Sequence, residues 1–150
     1  MENKTCNTLC TAMIPPDDAA FINNRILEMY LFNWMVDGLP AAQKSDTGME
    51  SATPGFHLGQ IIAPTKNNNV VPNILLNNHF EIYIMYHTTN SPDKHRVVGV
   101  YVNPSSTASL TCDRVENDQG MILSDSHDNK VSYTYDVYWI VWNFELEKSN

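Results

Sequence analysis

Apolar positions along the chain change their period twice. Ile22, Ile26, Met29 and Tyr30 recur at helical spacing behind Pro15, Pro16, Asp17 and Asp18. Proline suits a first helical turn, and the two acids complement the positive end of the helix dipole. That spacing predicts an amphipathic helix over 17–29. Residues 30–36 are rich in aromatics and fit either a strand or a longer helix, and Asp37, Gly38 and Pro40 end whichever forms. Between 41 and 72, Pro54, Gly55, Gly59, Pro64 and the run Asn67, Asn68, Asn69 predict mostly loop. A short strand fits near 58–62, and 43–53 reads as a mobile loop.

Further on the period drops to two. Phe80, Ile82, Ile84 and Tyr86 form one face of a strand, while His79, Glu81, Tyr83, Met85 and His87 point the other way. A polar turn over 88–94 leads into a β-branched strand over 96–102, with Val98, Val100 and Val102 inward. Loop over 103–108 and an acidic connection over 113–129 follow. Val131, Tyr133, Tyr135, Val137 and Trp139 then alternate inward on a long last strand. One helix followed by spaced strands, without alternating βαβ units, predicts a single α+β, mostly β domain. Its expected architecture is an antiparallel sheet or β-sandwich with one N-terminal amphipathic helix.

Composition narrows the function classes. The 150 residues are 43% hydrophobic and 17% charged, too apolar for a disordered chain. A net charge of −8, with 9 scattered Lys and Arg, argues against nucleic acid as a partner. Glu2, Asn3, Lys4 and Thr5 follow Met1 directly, so no secretory signal peptide is read. No apolar run approaches the roughly 20 residues of a spanning helix. Cys6, Cys10 and Cys112 are an odd number at spacings that fit neither zinc nor a redox pair. In an oxidising compartment Cys112 would bond one of the first two. Asn3, Lys4 and Thr5 form a glycosylation sequon, with Asn3 the acceptor.

The best metal-binding pattern is His79, Glu81 and His87 on one strand face. His79 and Glu81 could reach one ion, but His87 lies roughly 26 Å from His79 along an extended strand. A site would need another histidine from a neighbouring strand, and His57, His95 and His127 all read as loop residues. The solvated face of an amphipathic strand is therefore the preferred reading, with no metal or cofactor. Nucleophile elbow, Walker loop and dinucleotide fingerprint are all absent, so no catalytic residue is assigned. Pro54, Gly55 and Phe56 read as a structural turn. Trp34, Tyr133, Tyr135 and Trp139 read mostly as core and not as a sugar or peptide platform.

Ordered phrases along the chain go further. Cys6 and Cys10 precede the helix, and Trp34, Val36, Asp37, Leu39 and Pro40 follow it. Next come Pro54-Gly55-Phe56, Asn78-His79 with Tyr86-His87, Gly99 with Pro104, Cys112, and Tyr133-Thr134-Tyr135 with Val137 and Trp139. From Cys6 to Trp139 this series resembles the second half of the lumenal domain of nonaspanins, the transmembrane-9 superfamily, in its endosomal and Golgi branch. The resemblance implies that 1–150 is part of a β-rich lumenal domain whose nine membrane helices lie outside this chain. It implies residence in Golgi and endosomal membranes, with other membrane proteins as cargo partners, and no enzymatic activity. It also implies a disulfide involving Cys112 and a glycan on Asn3. Compared with the family pattern, the stretch before the cysteine pair and the tryptophan-rich phrase after the last strand are missing. That reads as a truncated gene model, a decayed copy or an alternative transcript, expected to fold poorly and aggregate on its own. The alternative is a free-standing β-domain that binds a small ligand or metal through His79 and Glu81.

Overall fold

The computed structural model describes residues 2–45, 48–63, 72–88, 94–110 and 118–142. In chain order the elements are β1 (Lys4–Ile14), α1 (Pro16–Leu27), β2 (Leu31–Phe32), β3 (Met35–Val36), β4 (Leu39–Ser45) and β5 (Gly48–Pro54). They continue with β6 (Phe56–His57), β7 (Gly59–Ile62), β8 (Asn73–Leu76), β9 (His79–Thr88), β10 (His95–Ser105) and β11 (Asn129–Val141). The protein is mostly β with one helix, the class the periodicity implies.

The main sheet runs β1-β11-β9-β10-β4-β3, with β5 also paired to β4. It is mixed: β11 runs parallel to β9, and β4 parallel to β10, while the remaining pairs are antiparallel. Alternation within a strand says which residues share a face, but nothing about which way the neighbour runs. Two small antiparallel ribbons, β2-β6 and β7-β8, sit apart from the main sheet.

Helix α1 starts where the prolines permit. Pro15 is extended at φ −70° and Pro16 opens the first turn, with Asp17 and Asp18 behind it. At the other end, the Tyr30 N–H reaches back to the Arg25 carbonyl while Met29 turns left-handed at φ 59°. That reversal stops the helix near residue 27 and frees the aromatics beyond it. Ala19 and Ile26 are buried against Ile14, Leu76, Met121, Leu123 and Val131, forming one core beneath the helix. A second core lies on the apolar face of the sheet, around Phe56, Phe80, Val100 and Val102. There Trp34 meets Phe56 edge-on at 4.7 Å and Phe80 at 4.9 Å, and Phe32 lies 5.6 Å from Phe56. Such ring pairs contribute about 0.5–1.5 kcal/mol each beyond the area they bury.

Several expectations change. No strand is anticipated before the helix, yet β1 closes one side of the sheet along β11. The loop expected over 41–72 is instead built from β4 through β7 as far as Ile62, and 64–71 lie outside the described residues. The mobile loop placed at 43–53 is the β4-β5 hairpin. Polar residues such as Gln43 are tolerated in these strands because pairing, and not side-chain apolarity, satisfies their backbone. Residues 30–36 resolve into β2 and β3, separated by Asn33 and Trp34. Val98 does not point inward but is 41% exposed. The register shifts between Val97 and Gly99, so Val98 is the extra residue of a bulge and the alternation restarts after it. Gly55, at φ +85°, does make the turn read for it: a Cβ there would meet Asn33 Oδ1 and the Phe32 carbonyl at 2.9 Å.

Candidate functional site: a polar face on the central strands

Parallel pairing of β9 with β11 sets Thr134 opposite His79 and Asp136 opposite Glu81. Antiparallel pairing of β9 with β10 sets Ser105 opposite His79 and Asn103 opposite Glu81. Because side chains alternate, these polar residues share one face while Phe80, Ile82, Val102 and Tyr135 fill the other. The polar face is buried along β11, while on β9 His79 and Glu81 are half-buried and on β10 Asn103 is exposed. Ser132 is 1% exposed, Thr134 is 0% and Asp136 is 8%.

Asn77 and Asn78, between β8 and β9, hold the top of this face and are themselves buried. Asn78 donates through Nδ2 to the carbonyls of Thr107 and Ser132, and its Oδ1 accepts from the Thr107 N–H. Its backbone N–H bonds the Ser105 carbonyl, and its own carbonyl accepts from Thr134. One residue therefore ties the start of β9 to β10, to β11 and to the loop after β10, through side chain and backbone together.

Below it, His79 Nδ1 and the Thr134 hydroxyl share a hydrogen bond of 2.8 Å. The ring is thereby turned so that Nε2 faces Asp136 Oδ2 at 3.7 Å. That separation is beyond hydrogen-bond range. Asp136 Oδ1 accepts the Cys6 N–H at 2.6 Å, and Oδ2 accepts the Tyr138 hydroxyl at 3.1 Å. Glu81 Oε2 accepts from Asn103 Nδ2 at 2.9 Å and from the Tyr83 hydroxyl at 3.2 Å. Burial, then the negative Glu81 beside it and the hydrogen bond between them, push the Tyr83 phenol above its usual 10. Tyr83 thus stays a proton donor at neutral pH, and its ring stacks on Tyr138 at 5.1 Å. One ligand atom from each of His79, Glu81 and Asp136 lies within 4.8 Å of the others. This supplies one imidazole nitrogen and two carboxylate oxygens at a partly buried point.

His79 and Glu81, which alternation puts on one strand face, lie within reach of each other, while His87 sits exposed at the far end of β9 and bonds the Trp142 carbonyl at 3.5 Å. Asp136 is the residue that sequence reasoning missed. Searching for another histidine passed over a carboxylate on the last strand, and only the parallel register brings it near. His57 lies in β6, where its carbonyl accepts from Asn77, and His95 opens β10 edge-on to Tyr86. His127 is in a bend after Leu123. None of these three is in the cluster.

Cys6 is disulfide-bonded, Cys10 carries an exposed free thiol, and Cys112 lies outside the described residues. Cys6 adopts φ 57° where the β1-β11 register shifts between Lys4 and Asn7, and this bulge aims its N–H at Asp136. Asn3 is exposed, with Oδ1 accepting the Trp139 N–H at 2.9 Å. Elsewhere, a shallow open cavity of about 270 Å³ lies between α1 and β7, lined by Ile26, Tyr30, His57 and Gln60 among others.

The model of the family Endomembrane protein 70 matches residues 1–148. Transmembrane 9 superfamily protein C1105.08 of Schizosaccharomyces pombe is 36% identical over 93% of this chain and 22% of its own length. Members 2 and 1 of the superfamily from Saccharomyces cerevisiae are 31% and 32% identical, over 99% and 91% of this chain and 28% and 25% of theirs. No solved structure matches. The chain belongs to the Endomembrane protein 70 family, within the transmembrane 9 superfamily of membrane proteins. It spans about a quarter of the length of these relatives. Among the described residues no helix is long and apolar enough to cross a membrane.

Proposed function

We propose that the chain is part of the lumenal domain of a multispanning membrane protein that sorts and localises other membrane proteins in the Golgi and endosomal system. The observation that carries this reading is the family match over nearly the whole chain. A disulfide at Cys6 supports a lumenal setting, since such bonds persist in oxidising compartments. With Cys10 free, Cys112 is the remaining cysteine and its proposed partner. Asn3 is the proposed glycan acceptor, attached through Nδ2 and not through the Oδ1 that holds Trp139. In this role the domain binds cargo membrane proteins and turns over no substrate.

The test is deletion of the gene that encodes the full-length parent, followed by quantitative comparison of surface-labelled membrane proteins. A defined set of multispanning proteins is expected to leave the surface and return on re-expression. An unchanged surface population, with the parent absent, would overturn the assignment.

A further inference from the structure

We propose that His79, Glu81 and Asp136 form a binding site for a divalent cation, zinc by its donor set. The inference is independent of the trafficking role and rests on what surrounds the three side chains. Glu81 and Asp136 are direct partners across parallel strands. Like charges set opposite one another in a sheet repel, and a cation between them reverses that term. His79, one step up the same face, completes a set of one nitrogen and two oxygens within 4.8 Å. Zinc takes imidazole nitrogen and carboxylate oxygen at roughly 2.0–2.2 Å, which places two ligands of a tetrahedral site about 3.4 Å apart. The 3.7 Å from His79 Nε2 to Asp136 Oδ2 is near that span and too long for a direct hydrogen bond.

The outer contacts match those of metal ligands. A ligating imidazole has its second nitrogen held by a partner that fixes the ring, and Thr134 does this through Nδ1. Ligating carboxylates are in turn hydrogen-bonded, as Asn103 and Tyr83 do for Glu81, and the Cys6 N–H and Tyr138 do for Asp136. A carboxylate has about four lone-pair sites, so these bonds leave ligation compatible with them. Three protein ligands leave zinc a fourth position for water or for a donor from a bound partner.

The experiment uses the full chain made in an oxidising compartment, stripped with a chelator, dialysed against zinc and passed through a desalting column. Metal content is read by mass spectrometry and affinity by calorimetry. One zinc per chain is expected, with binding weakened by at least about tenfold to a hundredfold in His79→Gln and in Glu81→Gln. His87→Gln, on the same strand, and Cys10→Ser are expected to bind as the parent does. Where His79→Gln loses its folded circular dichroism, Asp136→Asn takes its place, because it keeps an oxygen for the Cys6 N–H. No retained zinc, or zinc retained equally by the ligand variants, would overturn the site and leave the three groups as a hydrogen-bond network.

Discussion

Asp118 shows how a single exposed side chain can organise a loop. Its carboxylate accepts from the Thr107 hydroxyl and from the N–H groups of Ala108 and Gly120, and Gly120 turns left-handed at φ 76° beside it. Partial burial works to raise its pKa, but the three hydrogen bonds to the ionised form prevail and hold it below the usual 3.8. The native state therefore binds a proton less readily here than the unfolded chain does. The resulting stability is fully present above pH 3.8 and is lost as pH falls through the native value. Asp118→Asn is expected to lower the urea midpoint at neutral pH, with the gap to the parent closing as the pH is taken below 3.8. A gap that stays constant or widens in acid would remove the linkage. Asn78 is the buried counterpart, in an asparagine pair between β8 and β9. Its five hydrogen bonds, to β10, to β11 and to Thr107 in the loop after β10, are invisible in one dimension, because their partners lie 27 to 56 residues away in the chain.

Elements were legible where apolar and polar positions alternate with a clean period. Helix α1 and strands β9, β10 and β11 follow from period alone. Strand β1 was not, because it is exposed at Leu9 and Met13 and carries threonines, asparagine and cysteines in no clean alternation. Its two register shifts along β11 scramble whatever period it had. Strand β7 is short, yet the breaks around it placed it well. Gly59 at its start lies against Ile26 of the helix. A Cβ there would meet the Leu75 carbonyl oxygen, and the Ile26 side chain at 2.6 and 2.8 Å. Gly59→Ala is expected to cost about 1–3 kcal/mol, because backbone and a buried helix residue would both have to move. Gly38→Ala, at φ +77° with nothing within 4 Å, is the comparison: it should cost about 1–2 kcal/mol from left-handed strain alone. Urea denaturation separates the two. Equal midpoints for Gly59→Ala and the parent would mean that the helix rides more loosely on β7 than these distances indicate.

At the scale of the whole molecule, the missing information was strand order. The strands and the His79–Glu81 pair could be read locally, but the parallel β11-β9 step that brings Asp136 to Glu81 could not, since register across 55 residues leaves no trace in period. The same holds for β1, which pairs with β11 from Lys4 with Val137 to Ile14 with Asn129, joining the two ends of the described chain. This pairing carries more than a sheet edge. Ile14 contributes to the core beneath the helix, its carbonyl accepts from the buried Asn129 side chain, and Cys6 supplies the N–H that holds Asp136. Removing residues 2–14 would strip β11 of one neighbour along most of its length, and leave Asp136 with one fewer donor on its partly buried carboxylate. A buried acceptor left unpaired costs about 1–3 kcal/mol, and the lost core side chain costs a similar amount. Against a total stability of about 5–15 kcal/mol, those losses together with the broken ladder are expected to abolish cooperative unfolding. The measurement is a thermal melt by circular dichroism of the truncated and full chains at equal concentration. A truncated chain that still melts sharply, within about 3 °C of the full one, would show that β1 only decorates a sheet already complete without it.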